Sequence, residues 1–183
     1  MSELFSISKE ILFNPKDEKK FLNSVKRMVR ASYEYNEWVK FVKFTLGLDT
    51  CEFTGENAGE VTIELHHMPI SMSNIIKTIF DKHMNVVNTD TVKTTDIVDE
   101  VLQLHKQNDI GYVLLCTTLH EKFHNGFLDI PIEYVKGNWQ NFMNSYEIPD
   151  NIKELVEKYD SIKLTNTEIK VWNIQPGILQ EIQ

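Results

Sequence analysis

Hydrophobic residues recur along this chain with two different periods, and each period predicts a different element. Apolar side chains three or four positions apart predict amphipathic helices over residues 15–31, 36–46, 73–84, 95–107, 131–146 and 149–159. Alternating or continuous apolar residues predict strands over 61–67, 111–116 and 169–172. A short helix is expected to follow the second strand, because Thr117 or Thr118 can cap its start and Asn125-Gly126 can end it. The mixture predicts an α+β fold.

The chain of 183 residues is long enough for one domain with a hydrophobic core, and 42% of its residues are hydrophobic. Neither an internal repeat nor a low-complexity linker divides it, so we expect residues 1–183 to form a single domain. Within it we expect a helical N-terminal part (1–50), a central part that carries the main strands (51–126, with a helical insertion over 72–107) and a helical C-terminal part (127–183).

Composition restricts the compartment and the partners. The apolar runs are much shorter than a membrane span, and the N-terminus has no basic segment followed by an apolar one. Two cysteines, Cys51 and Cys116, are too few for a disulfide framework. We therefore expect a cytoplasmic protein with no membrane partner.

Charge is unevenly distributed along the chain. The net charge is −8, which disfavours nonspecific attraction to nucleic acid, but salt screens such fields within about 8 Å, so local patches matter more. Residues 1–50 carry a balance of +2 and the remainder −10. Arg27 and Arg30 lie three apart on the first long helix and could grip a phosphate, although a solvated helix face is an equally good account.

Four of the six histidines lie in two short signatures. His66 and His67 end the first predicted strand, and His120 and His124 lie four residues apart on the short helix, where they share a face. Imidazole is a common ligand of divalent metals and a common general base. His66 and His67 should point to opposite faces of the strand, so that one could bind a metal while the other acts as a base. His83 and His105 receive no predicted role.

A carboxylate accompanies the first signature. Glu64 shares the face of His66 and could accept a ring N–H, which fixes the tautomer of a metal-bound histidine. It could equally pair with an arginine. On the short helix, Lys122 is well placed to contact a phosphate.

Together the segments Glu64-Leu65-His66-His67-x-Pro69 and His120-x-x-x-His124-Asn125-Gly126 resemble the HNH, or His-Me finger, nuclease motif, particularly its colicin DNase form. The resemblance covers residues 51–71 and 111–126, and it implies a ββα-metal core embedded among helices. It further implies His66, His120 and His124 as metal ligands, His67 as the base that activates water, and Glu64 as the orienting carboxylate. Small HNH-like chains of this kind are similar to nucleases encoded by bacteriophages.

The chain departs from the family pattern at two places. Gly111 stands where the family usually has an asparagine ahead of the helix; Asn108 or Asp109 could supply the missing hydrogen bond. Cys51 and Cys116 resemble the halves of the zinc knuckle of other HNH proteins, but each lacks its second cysteine. We therefore expect no structural zinc there.

The predicted function is a metal-dependent endonuclease that hydrolyses DNA with one divalent ion, which could be Zn²⁺, Mg²⁺, Mn²⁺ or Ni²⁺. Its substrate contacts would be Lys122, Arg27 and Arg30. The main alternative is a degenerate finger that binds nucleic acid or protein without catalysis. A zinc protease is a third possibility, because His120-Glu121-x-x-His124 matches the protease pattern, but it leaves His66 and His67 unexplained.

Overall fold

Helices surround a short antiparallel pair of strands in the computed structural model, which describes residues 6–162. The fold is α+β. In chain order the strands and α-helices are β1 (Ser6–Ser8), α1 (Lys9–Leu12), α2 (Pro15–Ala31), α3 (Tyr33–Lys40), β2 (Ile63–His67), α4 (Met72–Met84), β3 (Thr91–Lys93), α5 (Thr94–Gln107), β4 (Tyr112–Cys116), α6 (Thr117–His124), α7 (Trp139–Ser145) and α8 (Asp150–Ser161). A π-helical turn (Phe41–Thr45) extends α3, and a 3₁₀ turn (Ile132–Tyr134) precedes α7.

The strand pair β2–β4 positions the two histidine signatures, because β2 ends at His67 and β4 leads directly into the helix that carries His120. Its antiparallel register pairs Ile63 with Cys116 and His67 with Tyr112. All five residues of β4 are buried, whereas the three middle residues of β2 are only partly buried. One face of β2 is therefore accessible beside the start of α6.

The predicted insertion between the two strands forms α4 and α5, which pack against each other and against α2. The Ser71 side chain caps α4 by accepting from the Asn74 N–H, and α5 ends at Asn108 in the left-handed conformation. In α2, Phe21, Val25 and Val29 form the buried stripe that the periodicity predicted. On the face of β2 that carries His67, this side chain contacts His105 of α5 and the Tyr35 and Trp38 rings of α3.

The helix predicted over 131–146 is interrupted. The period predicted helix for much of this stretch, and the chain forms the 3₁₀ turn and then α7. Gly137 lies between them with φ +83, and a Cβ there would approach the Ile110 carbonyl oxygen to 2.0 Å. The neighbouring Lys136 pairs with Tyr112, which extends the sheet hydrogen bonding instead of a helix.

The short strands β1 and β3 pair with each other, although sequence periodicity indicated neither. The strand predicted over 169–172 lies outside the described residues. Across residues 6–162, none of the helices combines the length and the apolar character that a membrane span requires.

Candidate metal centre

The β2–β4 pair and α6 bring the two histidine signatures together. Because α6 follows β4 directly, its first turn lies beside the start of β2, and the Thr117 N–H donates to the Thr62 carbonyl oxygen at 3.1 Å. This contact fixes the helix against the strand. Positions 120 and 124 then face the exposed side of β2, where His66 lies.

Three ring nitrogens converge at this point. The Nε2 atom of His120 lies 2.9 Å from Nδ1 of His66 and 3.0 Å from Nε2 of His124. One ligand atom of each residue falls within 4.8 Å of the other two, and within residues 6–162 this was the group found to be able to hold a metal ion. The structure therefore places the three predicted ligands around one point. His124 is exposed, so the group opens to solvent on that side.

Glu64 contacts the His120 ring on the side that faces away from the other two histidines. Its carboxylate contacts Nδ1 of His120, and because a carboxylate only accepts, His120 must carry its proton on Nδ1. The lone pair of His120 then lies on Nε2, which faces the other two rings. Of the two partners predicted for Glu64, the structure thus provides the histidine ring. A carboxylate in this position orients metal-binding histidines and increases their basicity.

Burial and neighbouring imidazoles favour the neutral form of His66 and His124. Burial, followed by the nearby His120 and His124, lowers the pKa of His66 to about 3. Burial and then His120 also lower the pKa of His124, although the Glu64 carboxylate acts in the opposite direction. Near neutral pH the rings of His66 and His124 therefore retain lone pairs that a cation could accept.

His67 lies on the opposite face of β2, as alternation predicted, but its environment does not fit the predicted base. It is 6% exposed, and its Nε2 lies 3.0 Å from Nε2 of His105 on α5. Nδ1 of His105 donates to the Val101 carbonyl oxygen at 2.6 Å, so its Nε2 must accept the proton that His67 donates. Burial lowers the pKa of both rings, to about 4 for His105.

This buried pair also lies among aromatic rings. Trp38 contacts His105 edge-on at 4.7 Å between ring centroids, and Tyr35 stacks on His67 at 6.3 Å. A base must reach the water that it activates, and a ring enclosed in this way is poorly placed to do so. The role of His67 as a base stays a prediction, and its burial favours the role of a core residue instead. His105, which received no predicted role, is its partner.

Gly111 stands where the nuclease pattern has asparagine, and the structure leaves no room for one. A Cβ at this position would approach the Met68 carbonyl oxygen to 2.0 Å. Of the two predicted substitutes, Asp109 already accepts a hydrogen bond from the Asn141 side chain at 2.7 Å. Asn108 occupies the left-handed end of α5, and its carbonyl accepts from the Asn138 N–H.

The three cations predicted to contact substrate all reach solvent. Arg27 and Arg30 are both exposed on α2, and Lys122 is partly exposed on α6. The charge of Arg30 contributes to the lowered pKa of His67, and that of Lys26 contributes to the lowered pKa of both His67 and His124. The sequence patterns did not single out Lys26. Its signal is the seven-residue spacing from Lys19, which places both on one helical face.

The two cysteines come together away from the histidines. Cys51 and Cys116 are both buried free thiols, and the two side chains contact each other. The remaining knuckle positions are held by Thr54, which hydrogen-bonds the Cys51 thiol, and by Leu119. Burial raises the pKa of Cys116. Leucine has no ligand atom, so this corner offers a zinc ion an incomplete set of soft ligands.

Comparison with known proteins places the chain in a phage context. A family model described as bacteriophage G278-like virion protein matches residues 2–183, essentially the full length. That description supports the predicted phage origin and does not name the nuclease family that the histidine motifs resemble. No match was found among curated proteins or among solved structures.

Proposed function

We propose that this chain, which belongs to the bacteriophage G278-like virion protein family, is a metal-dependent endonuclease that hydrolyses DNA phosphodiester bonds. The observation that supports the proposal is the convergence of the His66, His120 and His124 nitrogens in front of the Glu64 carboxylate. Three protein ligands and an open side are typical of catalytic rather than structural zinc sites, which are closed by a fourth protein ligand.

The donor set favours some ions over others. Imidazole nitrogens suit Zn²⁺ and Ni²⁺, whereas Mg²⁺ prefers oxygen ligands. Among the candidate ions we therefore favour Zn²⁺ or Ni²⁺, with Mn²⁺ next and Mg²⁺ last. When bound, such an ion would neutralise charge on the phosphate and acidify water, the chemistry that phosphodiester hydrolysis needs.

The chain's own residues then have separate tasks in this proposal. His66, His120 and His124 hold the ion, and Glu64 fixes the orientation and proton of the His120 ring. Lys122, on the same helix as two ligands, is proposed to contact the phosphate, with Arg27 and Arg30 as further candidates. His67 is not assigned as the base in this proposal. Instead, the bound ion would lower the pKa of the attacking water. The unit β2–β4–α6 is proposed to correspond to the ββα-metal core.

Nicking of supercoiled plasmid tests the proposal. Protein stripped with chelator should nick plasmid only after Zn²⁺, Ni²⁺ or Mn²⁺ is restored, and His124→Ala should abolish the activity. His83→Ala is the control, because this histidine contacts Glu100, much as His120 contacts Glu64, but lies on α4 outside the metal-binding group. Nicking by His124→Ala at the wild-type rate would refute the proposal.

A second substitution tests the revised role of His67. His67→Gln should retain nicking when the rate is normalised to folded protein, because the residue lies in the core. A loss as complete as that of His124→Ala, in protein that is still folded, would restore His67 as the base.

A second candidate function is a metal-stabilised module that binds DNA or a virion partner without catalysis. The enclosure of His67 and the lack of space for a side chain at Gly111 favour it, because both alter elements of the nuclease pattern. One equivalent of bound metal, together with no nicking under any of the ions, would decide for this candidate. The host cytoplasm remains the predicted location for either function.

A further inference from the structure

The outer face of α3 carries two exposed aromatic rings. On the opposite face, Trp38 and Val42 are buried and attach the helix to the core. Tyr33 is 74% exposed, and Phe44, in the π-helical turn that extends α3, is 71% exposed. Neither ring belongs to the hydrophobic core formed within residues 6–162. Because large aromatic side chains are enriched at protein interfaces, this face is suited to a partner.

Two charged residues lie between these rings on the same face. Tyr33, Glu37, Lys40 and Phe44 are four, three and four residues apart, the spacing that keeps side chains on one side of a helix. The side chains of Glu37 and Lys40 are 43% and 64% exposed. We refer to these four residues, which extend over roughly 16 Å at 1.5 Å per residue, as the α3 stripe.

The α3 stripe is complementary to its own reversed copy. An aromatic ring stands at each end, and between them an acidic residue is followed by a basic one. If two copies pack antiparallel about a two-fold axis midway along the stripe, Tyr33 of each meets Phe44 of the other, and Glu37 meets Lys40. A parallel pair would instead bring like charges together. Each copy of the antiparallel pair provides both members of every contact, as an isologous interface requires.

A groove beside the stripe offers room for an aromatic side chain. It has a volume of 640 Å³ and lies between α3 and α5, with Tyr33, Trp38 and Leu102 among the residues that line it. In the antiparallel arrangement, Phe44 of the second copy lies next to Tyr33 and therefore at the edge of this groove. The two-fold axis repeats the same contact at the other end of the stripe.

We propose that the α3 stripe is the interface through which two copies of this chain associate as an antiparallel, two-fold dimer. Charge favours a second copy over a nucleic acid, because Glu34 and Asp99 also line the groove and would repel phosphate. The inference goes beyond the proposed function and does not depend on the metal centre. A pair of helices of this length is smaller than the interfaces of roughly 1,200 to 2,000 Å² that form stable complexes, so we expect a dissociation constant of about 10 to 100 μM.

Sedimentation equilibrium in EDTA tests the interface, since the chelator removes any metal that could bridge two copies. The wild-type protein should change from monomer to dimer between about 1 and 500 μM. F44E should weaken association by more than about 30-fold, the effect expected for the loss of a buried aromatic anchor. F13E is the matched control, because Phe13 is 76% exposed but lies at the end of α1, outside the stripe. It should stay within about twofold of the wild type.

Charge reversal distinguishes contacts between copies from the contact within one chain. Nζ of Lys40 lies 2.8 Å from Oε1 of Glu37 in the same helix, so either E37K or K40E breaks that pair as well. Each variant alone should remain largely monomeric, because like charges then meet across the two-fold axis. An equimolar mixture of the two variants should dimerise as the wild type does, since every charge again faces its opposite although neither chain regains its internal pair.

Three outcomes would overturn the inference. The first is a wild-type protein that stays monomeric at every concentration, whether another part of the chain or a different protein covers the stripe. The second is an equal effect of F44E and F13E on association, and the third is a mixture of E37K and K40E that stays monomeric. Because all four substituted side chains are exposed, every variant should keep the helix content of the wild type, which circular dichroism checks.

Discussion

The two faces of β2 present histidines in opposite environments, although His66 and His67 are adjacent in sequence. On one face, His66 joins His120 and His124 around an accessible point, with ring nitrogens about 3 Å apart. On the other, His67 donates to His105 beneath aromatic rings, and that ring in turn donates to a backbone carbonyl. The ring nitrogens of His66, His120 and His124 converge at a point open to solvent. The ring nitrogens of His67 and His105 that face each other are instead satisfied by their mutual hydrogen bond.

This contrast shows that residue type and spacing in the sequence cannot distinguish a metal-binding histidine from a histidine buried in the core. Burial lowers the pKa of His66 on one face and of His67 and His105 on the other. What differs is the direction of the free nitrogen atoms and the access of solvent. Substitutions on the two faces should therefore change different properties of the protein, metal affinity on one face and stability on the other.

Removal of a ligand from the accessible face should have the largest effect. His120→Ala deletes the nitrogen that faces both other rings and should lower affinity for Zn²⁺ by more than about 100-fold, since changes behind the ligands alone cost about 10- to 100-fold. Isothermal titration calorimetry measures this, with His83→Ala as the control. An unchanged affinity would show that the three nitrogens do not share an ion.

On the buried face, the corresponding substitution should affect stability and leave metal binding intact. His105→Ala leaves the Nε2–H of His67 without its acceptor and opens a cavity, so we expect a loss of about 2 to 4 kcal/mol in the free energy of unfolding. Urea denaturation of the metal-free protein measures the loss. If the variant instead lost Zn²⁺ affinity at full stability, the assignment of the two faces would have to be exchanged.

The carboxylate behind the ligands should have an intermediate effect. Glu64→Gln keeps the shape of the side chain but removes the charge that orients His120, and affinity for Zn²⁺ should fall by about 10- to 100-fold. Competition with a chromogenic chelator can resolve this range. A fall as large as that of His120→Ala would indicate that Glu64 itself binds the ion.

The smallest expected effect is a decrease in the free energy of unfolding at acidic pH, caused by the buried His67–His105 pair. His105 has a pKa of about 4 in the folded protein, below its usual 6.5, so the unfolded chain takes up its proton first as pH falls. Its contribution to stability is complete above about pH 6.5 and is lost as pH falls toward 4. His105→Gln should make this decline shallower, by at most about 1.4 kcal/mol per pH unit. Urea midpoints of metal-free protein across that range measure the decline.

Periodicity in the sequence predicted the elements that carry the site, because each is defined by local spacing. The strand ending at His67, the buried strand before Thr117 and the four-residue spacing of His120 and His124 were all visible in this way. From these, alternation alone implied that His66 and His67 face opposite sides. The three nitrogens implied as ligands lie close together in the structure, while the nuclease resemblance itself stays a prediction.

Features that depend on distant pairing could not be predicted in the same way. His105 occupies an ordinary position on α5, and only packing against β2 gives it a histidine partner. The interruption at Gly137 depends on the close approach of the Ile110 carbonyl, which no local pattern encodes.

The contact between His66 and His120 joins residues that are 54 positions apart. An ion shared by these rings would act as a reversible cross-link, since it ties one end of the long excursion through α4 and α5 to the other. Closing a loop of that length restricts the unfolded chain in the way that a disulfide does. Chelation would therefore resemble reduction of a disulfide in its consequence, because either treatment removes a cross-link from the chain.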